Sequence, residues 1–231
     1  LSWRSAALFV VAVAMMGLAL RRLMPAGFFR AAPGIPATAW SRLLLSGAYF
    51  AALNFVPLML VEERGLSLFR AGLVISVGSL GWTLGSWLQS RPWLRLRRDQ
   101  IITAGVLSAT IGIALLAAVA WWPALGVGFG VLGGILGGLG MGLALSSTAL
   151  VTMSLLTPAQ QGRNNSALQS SETLGISLFT AVAGTIFANL HASGDLPRTF
   201  GAVMLAQIAV VVLGVASSLR IGPVANEAVR R

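Results

Sequence analysis

The sequence predicts an all-α, polytopic membrane helix bundle, made of one spanning helix followed by a six-helix unit. Two observations carry this prediction. The residues are 56% hydrophobic and only 10% charged, whereas about 25% of the residues of an ordinary soluble domain are charged. The hydrophobic residues also gather in long runs that are apolar on every side. In lipid each backbone group must be satisfied within the protein, so such runs predict helices, and they lack the short alternation typical of a barrel.

A helix needs about 20 mainly apolar residues to cross the hydrocarbon core of a bilayer. Seven runs meet or approach this length: 5–20, 43–61, 71–88, 101–121, 125–150, 166–190 and 200–219. The first is short, but Arg21 and Arg22 follow it instead of preceding it, which argues against a signal peptide. We therefore expect a spanning helix there, and we expect the chain to begin inside or just before it.

The fifth run continues without charge from 125 to 156. At 1.5 Å per residue this is about 48 Å of helix. No polar residue marks a hairpin, so we expect one tilted helix and not two spans.

The one long connection is 21–40, which contains Pro25, Pro33, Gly34 and Pro36. It predicts a linker between two regions. We divide the chain into the last helix of a preceding region, truncated (1–22), a cytoplasmic linker (23–41), a six-helix bundle (42–220) and a cytoplasmic tail (221–231).

All 16 basic residues are arginines. With seven spans, twelve of them fall on one side of the membrane and four on the other. Cytoplasmic loops carry the excess of positive charge, so we expect the N-terminus outside, the C-terminus in the cytoplasm and the cell membrane as the location. This placement explains the net charge of +10 without nucleic acid as a partner.

The composition removes most catalytic chemistry. There is no cysteine or lysine and a single histidine, His191, so thiolate and multi-histidine metal sites and lysine-bound cofactors are excluded. An intramembrane enzyme needs a nucleophile with a base or a metal cluster. We expect no enzyme, no cofactor and no metal. His191 is expected at the outer boundary.

Glu172 is the only acidic residue inside a predicted span. With a helix that starts near Asn165, it lies about 10 Å along that helix. Gln169 shares its face at a spacing of three. An ionised carboxylate inside a membrane must face water or a partner. Glu172 is therefore either a proton-coupling group in a water-filled cavity or one end of a structural hydrogen bond.

Asn54 lies in the middle of the second run, just before Pro57, which predicts a local kink. It either lines a cavity or repairs a contact between helices. Tyr49 and Phe50 lie one turn earlier and could form an aromatic wall. With Gln169 and Glu172, these three residues complete our set of substrate-cavity candidates.

Glycine recurs every fourth residue along the fifth run, at Gly126, Gly130, Gly134, Gly138 and Gly142. This spacing exposes one strip of backbone and lets a neighbouring helix approach closely. A second strip is Gly78, Gly81 and Gly85. The strips allow either static close packing of helices or a smooth surface along which helices slide or bend.

The loop 89–100 is rich in arginine. It either sets the topology alone or forms a charge latch between helix ends. The latch candidates are Arg91, Arg95, Arg97 and Arg98.

Three segments resemble the major facilitator superfamily. Residues 22–30 (RLMPAGFFR) resemble the linker that enters the second half of such transporters. Residues 55–67 (FVPLMLVEERGLS), followed by AGL at 71–73, resemble the stretch F-x-P-L-Y-L-Q-x-x-x-G-x-S…A-G-L. Residues 166–175 (SALQSSETLG) resemble the entry to the eleventh helix, S-G-L-N-T-x-R-Q-L-G, although Glu172-Thr173 stand where the family has Arg-Gln. The nearest branch is the drug–proton antiporter group with twelve- and fourteen-helix members.

The resemblance covers nearly the whole chain as the C-terminal half of such a transporter. It implies proton-coupled efflux of amphipathic or cationic small molecules by alternating access between two six-helix bundles. The implied partners are the lipid bilayer, the substrate, protons and a missing N-terminal half, without which we expect no transport. The alternative is a non-transporting membrane protein or degenerate half-transporter that acts as an assembly partner.

Overall fold

The computed structural model describes residues 15, 17–18, 20–122 and 124–226. After a short 3₁₀ turn at Phe28–Arg30, six α-helices follow, and no strand occurs in this part of the chain. They are α1 (Ile35–Glu62), α2 (Leu68–Leu88), α3 (Arg98–Trp121), α4 (Val127–Leu155), α5 (Pro158–His191) and α6 (Leu196–Ser218). The all-helical prediction is confirmed. Of the first apolar run, 5–20, only residues 15, 17, 18 and 20 are described, so the spanning helix predicted there lies mostly outside the described residues.

Two helices begin earlier than their apolar runs. α1 begins at Ile35, eight positions before the run at 43, because Pro36 in its first turn favours helix initiation after Gly34. The predicted linker therefore ends within a helix. α5 begins at Pro158 because the Thr157 N–H donates to the Gln160 side chain (3.3 Å) at the helix N-terminus. The residues that each helix adds before its apolar run, 35–42 and 158–165, are too polar for a hydropathy profile to include them in the span.

The long charge-free run forms one uninterrupted helix, as predicted. α4 spans 29 residues and is covered by α2 on one side and α3 on another. α1 packs mainly on α5 and α6, and α3 also packs on α6. One layer of the bundle therefore runs in the order α2, α4, α1, α5. The helices α3 and α6 form a second layer behind α4 and α1.

The two glycine strips pack against each other. A Cβ built on Gly138 would overlap the carbonyl oxygen of Gly78, and one on Gly142 would overlap that of Trp82. The contact between α2 and α4 is thus backbone on backbone, and it excludes even an alanine methyl group. Gly126 and Gly130, at the start of α4, have open space at the same position. Only the second part of the predicted strip is therefore a packing surface.

All six helices are long and apolar enough to cross a membrane. Large apolar side chains remain exposed along their outer faces, such as Leu68, Leu80 and Leu213. Contiguous exposed apolar surface of this kind is rare on soluble monomers. The architecture indicates a multi-pass membrane protein.

Candidate functional site

The centre of the candidate site is an ion pair between α1 and α5. Arg42 Nε donates to Glu172 Oε2 at 2.9 Å and Arg42 Nη2 donates to the same oxygen at 2.6 Å. Both side chains are only 11% exposed. A charge buried this far is costly unless it is paired, so each residue supplies what the other requires.

A third helix joins this pair. Arg42 Nη1 donates to Thr148 Oγ1 on α4 at 3.1 Å, and Thr148 Oγ1 donates to the Leu145 carbonyl at 2.7 Å. The arginine therefore ties α1 to both α4 and α5. Any change in the charge of Glu172 would act on all three helices through one guanidinium group.

Helix length decides where the pair lies. Because α5 begins at Pro158, Glu172 is about 21 Å along the helix at 1.5 Å per residue, and not the 10 Å expected from a start near Asn165. Arg42 is about 10 Å along α1 by the same measure. Both residues lie inside the bundle, well away from the helix ends.

Arg42 corrects the count of loop arginines. The twelve arginines expected on the cytoplasmic side include Arg42, but it lies within α1 because the helix begins at Ile35. Proline at the second helical position was the signal that could have placed it. The sequence thus offered Arg42 inside a helix and Glu172 as the only acid in a run, but it did not show that they pair. Nothing in the sequence pointed to Thr148.

The aromatic candidates form a cluster and do not line an open wall. The rings of Tyr49 and Phe50 meet edge to face at 5.4 Å between centroids, and both approach Trp82 on α2, at 6.3 and 6.1 Å. A Cβ on Gly137 would come within 2.8 Å of the Tyr49 ring. Tyr49 is buried and Phe50 is half-buried. The cluster fills the space where α1, α2 and α4 meet.

Asn54 and Gln169 are exposed, in contrast to the ion pair. Asn54 Nδ2 lies 3.5 Å from Thr180 Oγ1 on α5 and donates to it. Thr173 and Ser177 follow Gln169 at spacings of four and are also exposed. Together, Gln169, Thr173 and Ser177 make a polar row on the side of α5 that faces away from its buried residues.

The latch candidates take different roles. Arg98 Nη1 donates to the Gln89 side chain at 2.7 Å, and Arg97 forms an ion pair with Asp99 at 2.6 Å. Arg91 lies over the Trp87 ring at 3.9 Å. Arg95 is exposed.

The chain after α6 adds a connection that the sequence did not suggest. The backbone N–H of Val224 donates to Asp99 Oδ1 at 3.0 Å, and the N–H of Arg98 donates to the Val224 carbonyl at 2.9 Å. Ile221 and Val224 are buried in the main core. The segment 221–226 is therefore packed against the start of α3 and the loop 89–97.

At the other end of the bundle, His191 Nε2 lies 3.0 Å from Glu62 Oε2, so it is not an isolated boundary residue. Glu63, which follows Glu62 in the chain, has a side chain that is only 5% exposed. Its Oε1 lies 3.8 Å from Arg64 Nε. Burial raises the pKa of the Glu63 carboxyl above its ordinary value, and the charge of Arg64 opposes this shift. Neither Glu63 oxygen accepts a hydrogen bond from the described residues.

Within the described ranges, no three histidine, cysteine or acidic side chains lie together in a way that could hold a metal ion. The polar groups of the site are suited to hydrogen bonding and proton transfer. A scan against protein-family models and a search of curated proteins both find no match to this chain.

Proposed function

We propose that this chain forms one wall of the solute passage of a secondary transporter of the major facilitator type. The observation that carries the proposal is the polar row on α5, Gln169, Thr173 and Ser177, together with Asn54 on α1. These side chains are exposed on helices that are apolar enough to span a membrane. Polar groups in lipid are costly, so this face requires water or another protein surface.

The Arg42–Glu172 pair lies behind this face and would couple it to protons. When Glu172 is ionised, it holds Arg42 and so holds α1 and α5 together. Protonation would remove the charge that the guanidinium group binds, and the helices could then separate. Alternating access requires bundles with two such arrangements. The transported solutes would be amphipathic or cationic small molecules, with a second six-helix bundle as the opposite wall.

Efflux measurements test the proposal. The full-length protein, with both six-helix bundles, is expressed in a drug-sensitive bacterium, and ethidium efflux is followed by fluorescence with and without a proton gradient. We expect gradient-dependent efflux that Glu172→Gln abolishes and that Glu62→Gln, which changes an acid at a helix end, leaves intact. Unchanged efflux in Glu172→Gln would remove this residue from the mechanism, and absence of efflux from the full-length protein would contradict transport itself.

A second function is supported by the two hydrogen bonds of the ion pair. Arg42 donates twice to Glu172 Oε2, which would serve structure alone, and the exposed polar row would dock another membrane protein. The chain would then be a non-transporting assembly partner. A stable homodimer or heteromer in detergent would favour this function if two further results accompany it. Thr173→Cys should crosslink to the partner, and efflux activity should be absent.

A further inference from the structure

A groove lies between α1 and α6, beside the 3₁₀ turn. Its volume is about 260 Å³, below the roughly 300–1,000 Å³ of clefts that hold drug-sized ligands. The groove is therefore suited to a slender group. It is lined by Ala31, Trp40, Leu44, Leu213, Ala216, Ser217 and Arg220.

The lining is divided by polarity along the helices. Leu44 and Leu213 provide an apolar floor, whereas Arg220 lies just past the end of α6. Leu213 and Arg220 are seven residues apart, which is about 10 Å of helix. The apolar part thus extends towards the middle of the bundle and the charge lies at its end.

Trp40 is held rigidly at one side of the groove. Its Nε1 donates to the Phe28 carbonyl at 2.6 Å, and its ring stacks on Phe28 with 5.1 Å between centroids. The Gly34 N–H also donates to the Arg220 carbonyl at 3.3 Å. The first bond holds the 3₁₀ turn against α1, and the second joins the residue before α1 to the end of α6, so both sides of the groove are connected by hydrogen bonds.

The mouth of the groove carries positive charge that no acidic side chain among residues 20–122 and 124–226 pairs with. Arg220 is exposed, and so is Arg30, which immediately precedes the lining residue Ala31. Neither arginine forms an ion pair within the described part of the chain. Tryptophan and arginine at the end of apolar helices are typical of the level of lipid headgroups. An arginine offers a phosphate group two parallel hydrogen bonds.

We infer that this groove binds one anionic phospholipid, with an acyl chain against Leu44, Leu213 and Ala216 and the headgroup phosphate at Arg220. Arg30 adds a second positive charge near the same headgroup. The inference depends on the membrane location of the helices and not on transport. A lipid held here would brace the contact between α1 and α6.

Native mass spectrometry of the purified full-length protein tests this inference. Phosphatidylglycerol and phosphatidylcholine with identical acyl chains are titrated separately, and inorganic phosphate is added as a competitor. We expect tighter binding of phosphatidylglycerol. At about 1 kcal/mol for each arginine near an anionic surface, Arg220→Gln should weaken it about five-fold and the pair Arg30→Gln/Arg220→Gln about 25-fold.

Three variants show whether the site is the groove. Replacing both arginines with lysine should restore most of the binding, which separates lost charge from misfolding. The control pair Arg70→Gln/Arg198→Gln, at the opposite end of the bundle, should bind as the parent does. Ala216→Phe fills the groove and should reduce phosphatidylglycerol binding at least ten-fold.

Contrary results are equally clear. Equal affinity for the two lipids, or equal loss in the control pair, would overturn the site. Unchanged binding in Ala216→Phe, or full competition by millimolar phosphate, would overturn a lipid as its occupant. Fluorescence gives a readout that does not depend on mass spectrometry. Phosphatidylglycerol with brominated acyl chains should quench the tryptophan fluorescence of the parent more than that of Trp40→Phe.

Discussion

Arg42 and Glu172 are separated by 130 positions in the chain, yet both Nε and Nη2 of the arginine donate to one carboxylate oxygen of the glutamate. The contact joins the first and fifth helices of the bundle inside its apolar part. It converts two residues that would each be costly in a membrane into one neutral unit. The pair is therefore a structural fastening inside the bundle, and under the proposed function it is the contact at which a proton would change how α1 and α5 are held.

We predict that removing either partner destabilises the fold much more than removing both. Breaking a buried ion pair from one side costs about 3–5 kcal/mol, whereas replacing both charges with apolar residues is often neutral. Arg42→Met and Glu172→Leu should each lower the unfolding temperature, and the double variant should recover most of the loss. Tryptophan fluorescence of the purified protein during heating measures this.

A partly exposed pair provides the control. Arg97 is 51% exposed and Asp99 is 12% exposed, and without Arg97 the Asp99 carboxylate still accepts the Val224 N–H. Ion pairs that are open to solvent contribute about 0–1 kcal/mol. Arg97→Gln should therefore leave the unfolding temperature nearly unchanged. Strictly additive effects of the two buried substitutions would contradict the coupling.

We predict that Gly138→Ala disrupts the contact between α2 and α4. The new methyl group would overlap the Gly78 carbonyl oxygen, and forcing extra carbon into a closely packed contact costs about 1–3 kcal/mol. The unfolding temperature should fall, and cysteines placed on the two helices should crosslink more slowly.

Gly130→Ala is the matched control, since Gly130 lies on the same helix and the position of its added Cβ is open space. It should be neutral or slightly stabilising, because alanine favours helix over glycine by about 1 kcal/mol. Equal destabilisation by both variants would mean that the overlap with the Gly78 carbonyl oxygen is not what determines the effect of Gly138→Ala, because helix propensity alone would stabilise both.

We predict that Glu63 makes the protein less stable as the pH rises. Burial raises its pKa in the folded state, so between the ordinary and the raised pKa the folded state binds more protons than the unfolded state, and stability falls with increasing pH. Glu63→Gln should be more stable than the parent at neutral pH, and its stability should depend less on pH. Unfolding temperatures between pH 4 and 8 would measure the difference.

Glu63→Asp retains an ionisable group at this position and should retain most of the slope. If Glu63→Gln has the slope of the parent, another group is responsible for the pH dependence.

We predict that Asp99→Asn releases the segment 221–226. Asp99 accepts the Val224 N–H at 3.0 Å and also pairs with Arg97. A hydrogen bond to a charged group contributes about 1.5–3 kcal/mol, so exchange of the Val224 amide should accelerate by about 10- to 100-fold. Hydrogen–deuterium exchange with mass spectrometry would detect this.

Asp195→Asn changes the cap of α6 at the other end of the bundle, and it should leave exchange at Val224 unchanged. If Asp99→Asn also leaves that exchange unchanged, burial of Ile221 and Val224 alone holds the segment.

The glycine strips show how far sequence reasoning reached. A spacing of four defines a strip of backbone on any helix, so both surfaces were predictable. The pairing of the two strips was not predictable. The strips of α2 and α4 match by shape, but another arrangement of the helices could have separated them. Gly126 and Gly130 share the spacing of Gly138 but lie beyond the area that α2 covers.

The sequence by itself determined that the chain forms helices and that these helices suit a membrane. Hydropathy and helix period are local properties, and they do not depend on which helix packs against which. It also marked Glu172 as a carboxylate that could not remain alone. Only the tertiary structure decided that Arg42 is the partner, that Thr148 joins them, and that Val224 returns to Asp99. The physical reason is distance along the chain: contacts between residues more than a hundred positions apart depend on how whole helices pack, and packing is settled by the complete bundle.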